Sequence, residues 1–380
     1  MNPKLQLIAD AVGPVARGHP WVYRDAVRGS AELGDTVRLV DPRGRQVGWG
    51  LFDDGPIAVR VLAREPQDLG RLVQERLQRA DSFRFRVVTG ETTCWRVVHG
   101  AGDALPGVVI DRYDDLAVLR LYSAAWVPHL DLLVRTIAAL PWVSTVARRL
   151  GVTRVDGQQG LVTLSGPTAP EQLVVLEHGV RLLVRPYVGQ KTGLFLDQRE
   201  NRRRAAELAP GRQVVNLFSY NGGFSVYAAL AGAARVTSVD VSRPALDDAR
   251  EIFRLNGLSP DRHAFECEDV FKWQPSGKAD LVICDPPSLS HDRKSDGPAR
   301  KAYRDLAASV APMVSRDGLL ASASCSARLS FERWEQSLRD GLSRSARWSV
   351  LERAEAPPDH PVALQHPEGR YLKWCVLRRL

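Results

Sequence analysis

Little in this chain would let covalent or metal links hold it together. Cysteines number five in 380 residues, namely Cys94, Cys267, Cys284, Cys325 and Cys375, an odd and scattered set without a C-x-x-C pair. That excludes a disulfide scaffold and a clustered zinc site, and it points to a reducing compartment. An apolar leader is missing too, because Asp10, Pro14, His19, Pro20 and Asp25 stand where a signal peptide needs an unbroken apolar stretch. The one long uncharged run, 213–234, is interrupted by Gln213, Asn216, Ser219, Asn221, Gly222 and Gly223. It reads as strand, turn and small-residue helix and not as a membrane span. No internal repeat or low-complexity tract is present. A cytoplasmic protein without membrane segment or metal is expected. Neither sign of charge dominates: 52 Lys and Arg against 44 Asp and Glu leave +8, a mild preference for a polyanionic partner.

What is present is ordinary globular material, 44% hydrophobic and 25% charged, long enough for two or three domains. Between 35 and 62 the apolar positions alternate: Val37 and Leu39, then Val47, Trp49 and Leu51, then Ile57, Val59 and Val61. Period two marks half-buried strands, and Asp41-Pro42-Arg43-Gly44 turns between the first two. Residues 1–65 are therefore expected to form a small β-domain. From 66 to 87, Leu69, Leu72, Val73, Leu77 and Ala80 give a helical stripe. Short strands, a helix near 129–140 and a hairpin turning at His178-Gly179 follow, so 66–185 reads as α+β. From 186 to 380 strands and helices alternate, calling for a parallel sheet covered on both faces. The strands are expected at 214–218, 235–240, 281–284 and 318–324. Asp197 and Glu200 have the spacing of a capping box for a helix that Pro210-Gly211 ends.

In an open parallel sheet, ligands bind beyond the carboxyl ends of the strands. After the first strand come Phe218, Ser219, Tyr220, Asn221, Gly222 and Gly223, where the glycines let a turn pass close to a ligand. A turn needing positive φ explains them equally well. Asp240 ends the second strand, placed to accept hydrogen bonds from the ribose hydroxyls of an adenosine cofactor. It also precedes Ser242-Arg243-Pro244, where Ser242 is the better helix cap. Asp269 follows the next strand-like stretch and is placed to reach an adenine amino group, or to be a solvated loop acid. The strand 281–284 runs into Asp285-Pro286-Pro287, a lip that the prolines make rigid. Cys325, in Ser322-Ala323-Ser324-Cys325-Ser326, sits at the mouth of the sheet before a helix. There it is either a thiolate nucleophile or a small buried hydrophobe.

Taken together, NLFSYNGGFSVYAA (216–229), SVDVS (238–242), ECEDVF (266–271), ICDPPS (283–288) and SASCS (322–326) resemble, in order and spacing, the class I S-adenosylmethionine methyltransferase domain. More narrowly the chain is similar to the bacterial 23S ribosomal RNA large-subunit methyltransferases that make 5-methylcytosine and carry an N-terminal PUA domain. HPWVYRDAV (19–27), GDALPGVVIDRY (102–113), KTGLFLDQREN (191–201) and PPDHPVALQHPEGRYLKW (357–374) extend the likeness over most of the chain. The resemblance implies an α/β fold: a Rossmann-like methyltransferase domain at 186–380, a PUA-like RNA-binding β-domain at 1–65, and a central α+β domain at 66–185. It implies S-adenosyl-L-methionine as cofactor, its methionine end held by Phe218 to Gly223, its ribose by Asp240 and its adenine by Asp269. Asp285 would lie between cofactor and base, and Cys325 would add to C6 of cytosine. Cys284 is the rival thiol, disfavoured by neighbouring Asp285 and by its strand position. Ser288 stands where many amino-group methyltransferases with an Asn/Asp-Pro-Pro sequence place a stacking aromatic, which favours carbon methylation.

RNA contact is expected from Arg17, His19, Trp21, Tyr23 and Arg24, which mix stacking groups and cations, and from Arg202 and Arg203 near the cofactor side. A solvated helix face explains the arginine run equally well. The implied partner is ribosomal RNA, with a homodimer also compatible. Three other readings stand beside this one. The first is methylation of a base nitrogen without a covalent intermediate, and the second is a catalytically silent RNA-binding protein. The third, a nicotinamide-dependent dehydrogenase, is disfavoured by the lack of a full G-x-G-x-x-G.

Overall fold

A computed structural model describes residues 2–289 and 296–380. They divide into two compact units, one of residues 1–179, 184–196 and 358–369, the other of 180–183, 197–357 and 370–380. The first two expected domains share one unit, and 358–369 belongs with them.

The first unit opens with a six-stranded sheet in the order Trp21–Tyr23, Ile57–Ala63, Gln46–Phe52, Thr36–Val40, Lys4–Leu7, Val27–Arg28. Leu5, Leu7, Val37, Leu39 and Val59 are fully buried within it. Asp41 closes the expected turn, its carboxylate accepting from the backbone N–H groups of Arg43 and Arg45, both at 2.9 Å. One expectation needs correcting: 48–52 is buried on both faces and not on one. A Cβ at Gly50 would stand 2.0 Å from the Arg60 carbonyl, so only glycine lets these neighbouring strands close up.

The helix expected at 66–87 runs Leu69–Val87, with Asp68 as N-cap accepting from Arg71 N at 2.7 Å. Beside it lies a five-stranded sheet whose order follows the chain, Cys94–His99, Val108–Tyr113, Leu116–Leu121, Thr145–Leu150, Gly160–Ser165. Trp49, Leu51 and Leu62 of the first sheet share one core with Leu72, Leu77, Trp95 and Trp126, which is why these parts form a single unit. Arg84 is fully buried in this unit. Its guanidinium pairs with Asp103 (2.5 and 2.7 Å) and donates to the carbonyls of Arg96 and Asp359, both at 2.9 Å. The Asp359 carboxylate in turn accepts from Arg96 N at 3.0 Å. His178 (φ 49°) and Gly179 (φ 80°) both take the left-handed conformation that the expected two-residue turn requires.

In the second unit the strands are β1 Gln213–Leu217, β2 Arg235–Asp240, β3 Ala264–Cys267, β4 Ala279–Cys284, β5 Val314–Ser324, β6 Trp348–Ala354 and β7 Lys373–Arg379. Their order is 3-2-1-4-5-7-6. The first five are parallel, β7 runs antiparallel to β5, and β6 antiparallel to β7. The helices are α1 Arg199–Glu207, α2 Gly223–Leu230, α3 Arg243–Leu255, α4 Gly297–Val310 and α5 Phe331–Leu342. The order reverses between β1 and β4, so the crevice opens above their carboxyl ends. α3 begins as expected, with Ser242 as cap and Pro in its first turn. The capping box at Asp197 does not form: α1 has no side-chain cap, and the buried Asp197 accepts from Tyr371 Oη at 2.6 Å. The pairing of β6 and β7 onto the sheet was not expected.

Candidate active site

Strand register decides which residues meet. Leu217 lies beside Val239 and Cys284, Cys284 beside Ser322, and Asp240 beside Cys267. The 218–223 turn, Asp240, Asp285 and the segment entering Cys325 consequently share one edge of the sheet.

The turn after β1 is conformationally costly. Phe218 (φ 57°) and Tyr220 (φ 48°) are left-handed without being glycine, as is Gly222 (φ 75°), and such strain gathers where a backbone is shaped for a ligand. Asp240 holds it in place, accepting from Tyr220 N at 2.8 Å and from Ser242 N at 2.9 Å. A Cβ on Gly222 would meet the Ala249 Cβ at 2.8 Å, and one on Gly223 would meet Arg202 Cδ at 3.1 Å. Ser219 Oγ and Asn216 Oδ1 are buried without a hydrogen-bond partner among the described residues. Asn221, also buried, donates to the Leu183 carbonyl at 3.5 Å. Asp269 accepts from Phe271 N at 3.0 Å. Phe271 meets Phe218 edge-on with centroids 5.7 Å apart, and both Phe271 (56%) and Val241 (67%) are unusually exposed for apolar side chains. Sequence reasoning missed Val241 and Phe271. An adenosine cofactor fits this donor set: a carboxylate for ribose, apolar faces for a base, and an unsatisfied hydroxyl inside the turn.

On the other side of the edge stand the lip and the thiol. Asp285 Oδ2 accepts from Gln198 Nε2 at 2.9 Å, Gln198 Oε1 accepts from Asn201 Nδ2 at 2.6 Å, and Asn201 Oδ1 accepts from Arg204 Nη1 at 3.1 Å. Gln198 and Asn201 are buried, so the chain from α1 fixes the carboxylate. Cys284 is buried, and burial, with Asp285 beside it, pushes its thiol far above the usual range. Cys375 is pushed up to about 12, chiefly by burial. Cys325 keeps partial exposure. Beside it, Ser324 Oγ donates to Tyr303 Oη at 2.9 Å. The Tyr303 phenol is raised above its ordinary range, first by burial and further by the charges of Cys325 and Asp285. Lys373 reaches the same corner from β7 and donates to the carbonyls of Ser326 (2.6 Å) and Tyr371 (2.9 Å). Gln198, Asn201, Tyr303 and Lys373 were not expected from the sequence.

Of the residues expected to touch RNA, Trp21, Tyr23 and His19 gather in the first unit. Trp21 packs edge-on against Tyr23 at 6.5 Å and against His366 at 4.1 Å, and Tyr23 is 44% exposed. Burial holds the His366 imidazole below its ordinary range. Arg17 is exposed. Two expectations need correction. Arg24 is committed to structure, donating to the Asp53 and Gly55 carbonyls and lying over the Phe52 ring at 4.8 Å. Arg202 is 5% exposed and packs against Gly223, so it belongs to the turn's support and not to an outer basic face. Arg203 is exposed but ion-paired to Glu200 and Glu207.

Among the described residues no helix is long and apolar enough to cross a membrane, and no cluster of His, Cys, Asp and Glu is arranged to hold a metal ion. Strand order, left-handed turn and acid-tipped strands together define a Rossmann-like nucleotide-cofactor enzyme. Residues 86–367 match the S-adenosylmethionine-dependent methyltransferase family and 5–64 a PUA-like domain, and the chain belongs to that methyltransferase family. It is 39% identical over 383 residues to the Ribosomal RNA large subunit methyltransferase of Deinococcus radiodurans, covering 95% of this chain and 93% of that one. It is 32% identical to the Ribosomal RNA large subunit methyltransferase I of Escherichia coli, over 100% of both chains. A solved methyltransferase complexed with SAH superposes with a TM-score of 0.89 at 24% identity, covering 99% of this chain and 100% of that one. A solved SAM-dependent methyltransferase from Streptococcus mutans does so at 0.87, with the same identity and coverage. These two likenesses establish the fold. The cofactor is S-adenosylmethionine, and the dehydrogenase reading finds no support.

Proposed function

We propose that the chain methylates C5 of a cytosine in large-subunit ribosomal RNA through a transient bond from Cys325 to C6. The observation that carries this reading is the contrast between two thiols at one sheet edge. Cys284 is buried and held as a thiol, while Cys325 stays partly exposed one strand away from Asp285. The names of the relatives supply the substrate class.

S-adenosylmethionine, when bound, supplies a methyl group on an electrophilic sulfonium. The residues 218–223 would hold its methionine end, Asp240 its ribose, and Asp269 its adenine with Phe271 and Val241 as apolar neighbours. C5 of cytosine is a poor nucleophile, so the chain must raise its electron density. The Cys325 thiolate adds to C6, and the displaced ring electrons make C5 enamine-like. Asp285, steadied by Gln198, hydrogen-bonds the N3/N4 edge and favours the protonated ring while it carries that charge. Once C5 has gained its methyl group and a base has taken its proton, the C5–H electrons re-form the C5–C6 double bond and Cys325 leaves as thiolate. Trp21, Tyr23 and His19 offer stacking faces for unpaired bases. Extruding a base from a duplex costs a few kcal/mol, which favours an open or loop segment as target.

The test is transfer of labelled methyl to ribosomal RNA by wild type and Cys325→Ala, followed by nucleoside identification. Loss of transfer with S-adenosylmethionine binding intact, and 5-methylcytosine as wild-type product, is the expected result. Full activity in the variant, or a label on nitrogen, overturns the covalent reading.

A further inference from the structure

We propose that Lys373 is a positioning residue whose buried ammonium supplies the counter-charge that keeps Cys325 a thiolate. The inference rests on the reading of Cys325 as nucleophile and names the group that prepares it.

Lys373 lies on β7 directly across from Ser324 of β5, one residue before the thiol. Only 3% of its surface is exposed. A lysine so enclosed has lost its hydration, and the penalty is large unless the charge is hydrogen-bonded and balanced. The hydrogen bonds come from two carbonyls, that of Ser326, immediately after Cys325, and that of Tyr371. Carbonyls orient an ammonium but bring no formal charge. The anionic groups that act on it are Cys325 first and then Glu355, which is exposed. Burial lowers the Lys373 ammonium from its ordinary 10.5 to about 8, against the pull of both groups, so at neutral pH it remains mostly protonated.

Two described ionisable groups at this corner bring no positive charge. Asp285, at the end of β4, and Tyr303, from α4, put negative or polarisable oxygen toward the same corner. Asp285 opposes a thiolate by like charge, and Tyr303, kept neutral by burial, supplies no counter-charge. Lys373 is a cation held at this corner by the backbone of the thiol's own segment. The Ser326 carbonyl also ties its Nζ to the backbone that carries Cys325, so the charge moves with the sulfur.

The experiment uses the full-length protein without RNA. The alkylation rate of Cys325 by iodoacetamide is followed by mass spectrometry of its peptide across pH 6 to 10, for wild type, Lys373→Gln and Lys373→Arg. Thermal melting monitors the fold. The expected wild-type midpoint lies well below that of an ordinary thiol. Lys373→Gln should raise it by a unit or more, lowering the thiolate fraction at neutral pH by about tenfold. Lys373→Arg keeps a permanent charge and should hold the midpoint low. Methyl transfer by Lys373→Gln should fall about tenfold at pH 7 and recover toward wild type at pH 9, following the thiolate. An ordinary thiol midpoint in the wild type overturns the proposal, whether or not either variant folds. So does an unchanged midpoint in folded Lys373→Gln. The alkylation arm needs no substrate, so it answers separately from the Cys325→Ala test.

Discussion

Gln198 holds the Asp285 carboxylate by a direct hydrogen bond. Its Nε2 gives the Asp285 carboxylate a 2.9 Å hydrogen bond, and its Oε1 takes one from Asn201 at 2.6 Å. Replacing it with Leu keeps the bulk and removes both. A hydrogen bond to a charged group contributes about 1.5 to 3 kcal/mol. If all of it is expressed in the transition state, at about 1.4 kcal/mol per decade the rate falls by about ten- to hundredfold. Cofactor affinity should stay within about threefold, an allowance of roughly 0.7 kcal/mol, because the side-chain hydrogen bonds of Gln198 run to Asp285 and Asn201. Gln198→Glu should be worse, since it puts a second carboxylate where the donor stood. The assay is kcat/KM for methyl transfer to ribosomal RNA beside calorimetric S-adenosylmethionine binding. Asp285→Ala and the double variant complete the cycle, and if the pair acts as a unit the double variant is no slower than Asp285→Ala alone. Gln198→Leu at near wild-type rate with its fold intact refutes the idea that α1 steadies the lip.

Gly222→Ala must place a side chain at φ 75° with its Cβ 2.8 Å from that of Ala249. A left-handed alanine costs about 1 to 2 kcal/mol, so melting should drop by a few degrees and S-adenosylmethionine binding should weaken; calorimetry showing unchanged affinity would contradict the assigned turn. Trp21→Ala should weaken ribosomal RNA binding in a filter assay while leaving S-adenosylmethionine affinity unaltered, and equal RNA binding would remove the stacking role. Lys373 has a pH signature in stability as well. Its ammonium is depressed to about 8 in the folded protein against an ordinary 10.5, so between those values the unfolded chain binds more protons. Wild type should therefore gain stability relative to Lys373→Gln as pH rises through that window, by up to roughly 3 kcal/mol. Denaturant titrations at pH 7.5 and 10 that give one constant difference would rule this out.

What the sequence made legible was local. Asp240, the Ser242 cap and the Pro286-Pro287 lip each carry their meaning within a few residues, because capping and φ restriction act over one turn. The glycine pair could be found but not interpreted. Positive φ and close approach look alike in sequence, and only the 2.8 Å clash at Gly222 separates them. The link from Gln198 to Asp285 spans 87 positions, and that from Lys373 to Ser326 spans 47. No periodicity encodes such distances. Asp197 misled because its spacing to Glu200 fits a cap, while tertiary packing gave the carboxylate to Tyr371. The Trp348–Ala354 strand escaped notice because every position in it is half-buried or exposed at a sheet edge, without the buried apolar run that marks the inner strands.

The connection between the last two strands of the catalytic sheet carries residues 358–369, which belong to the first unit. Arg84, deep in that unit, needs the carbonyl of Asp359, and the neighbouring Arg96 backbone needs its carboxylate. During synthesis the ribosome delivers the N-terminal sheets early but withholds both acceptors until residue 359 emerges. The part of the protein that is translated first therefore matures almost last. A chain halted before 358 would leave a guanidinium short of an acceptor in a core whose own strands are all present, and that unfinished core is what a chaperone or protease would meet.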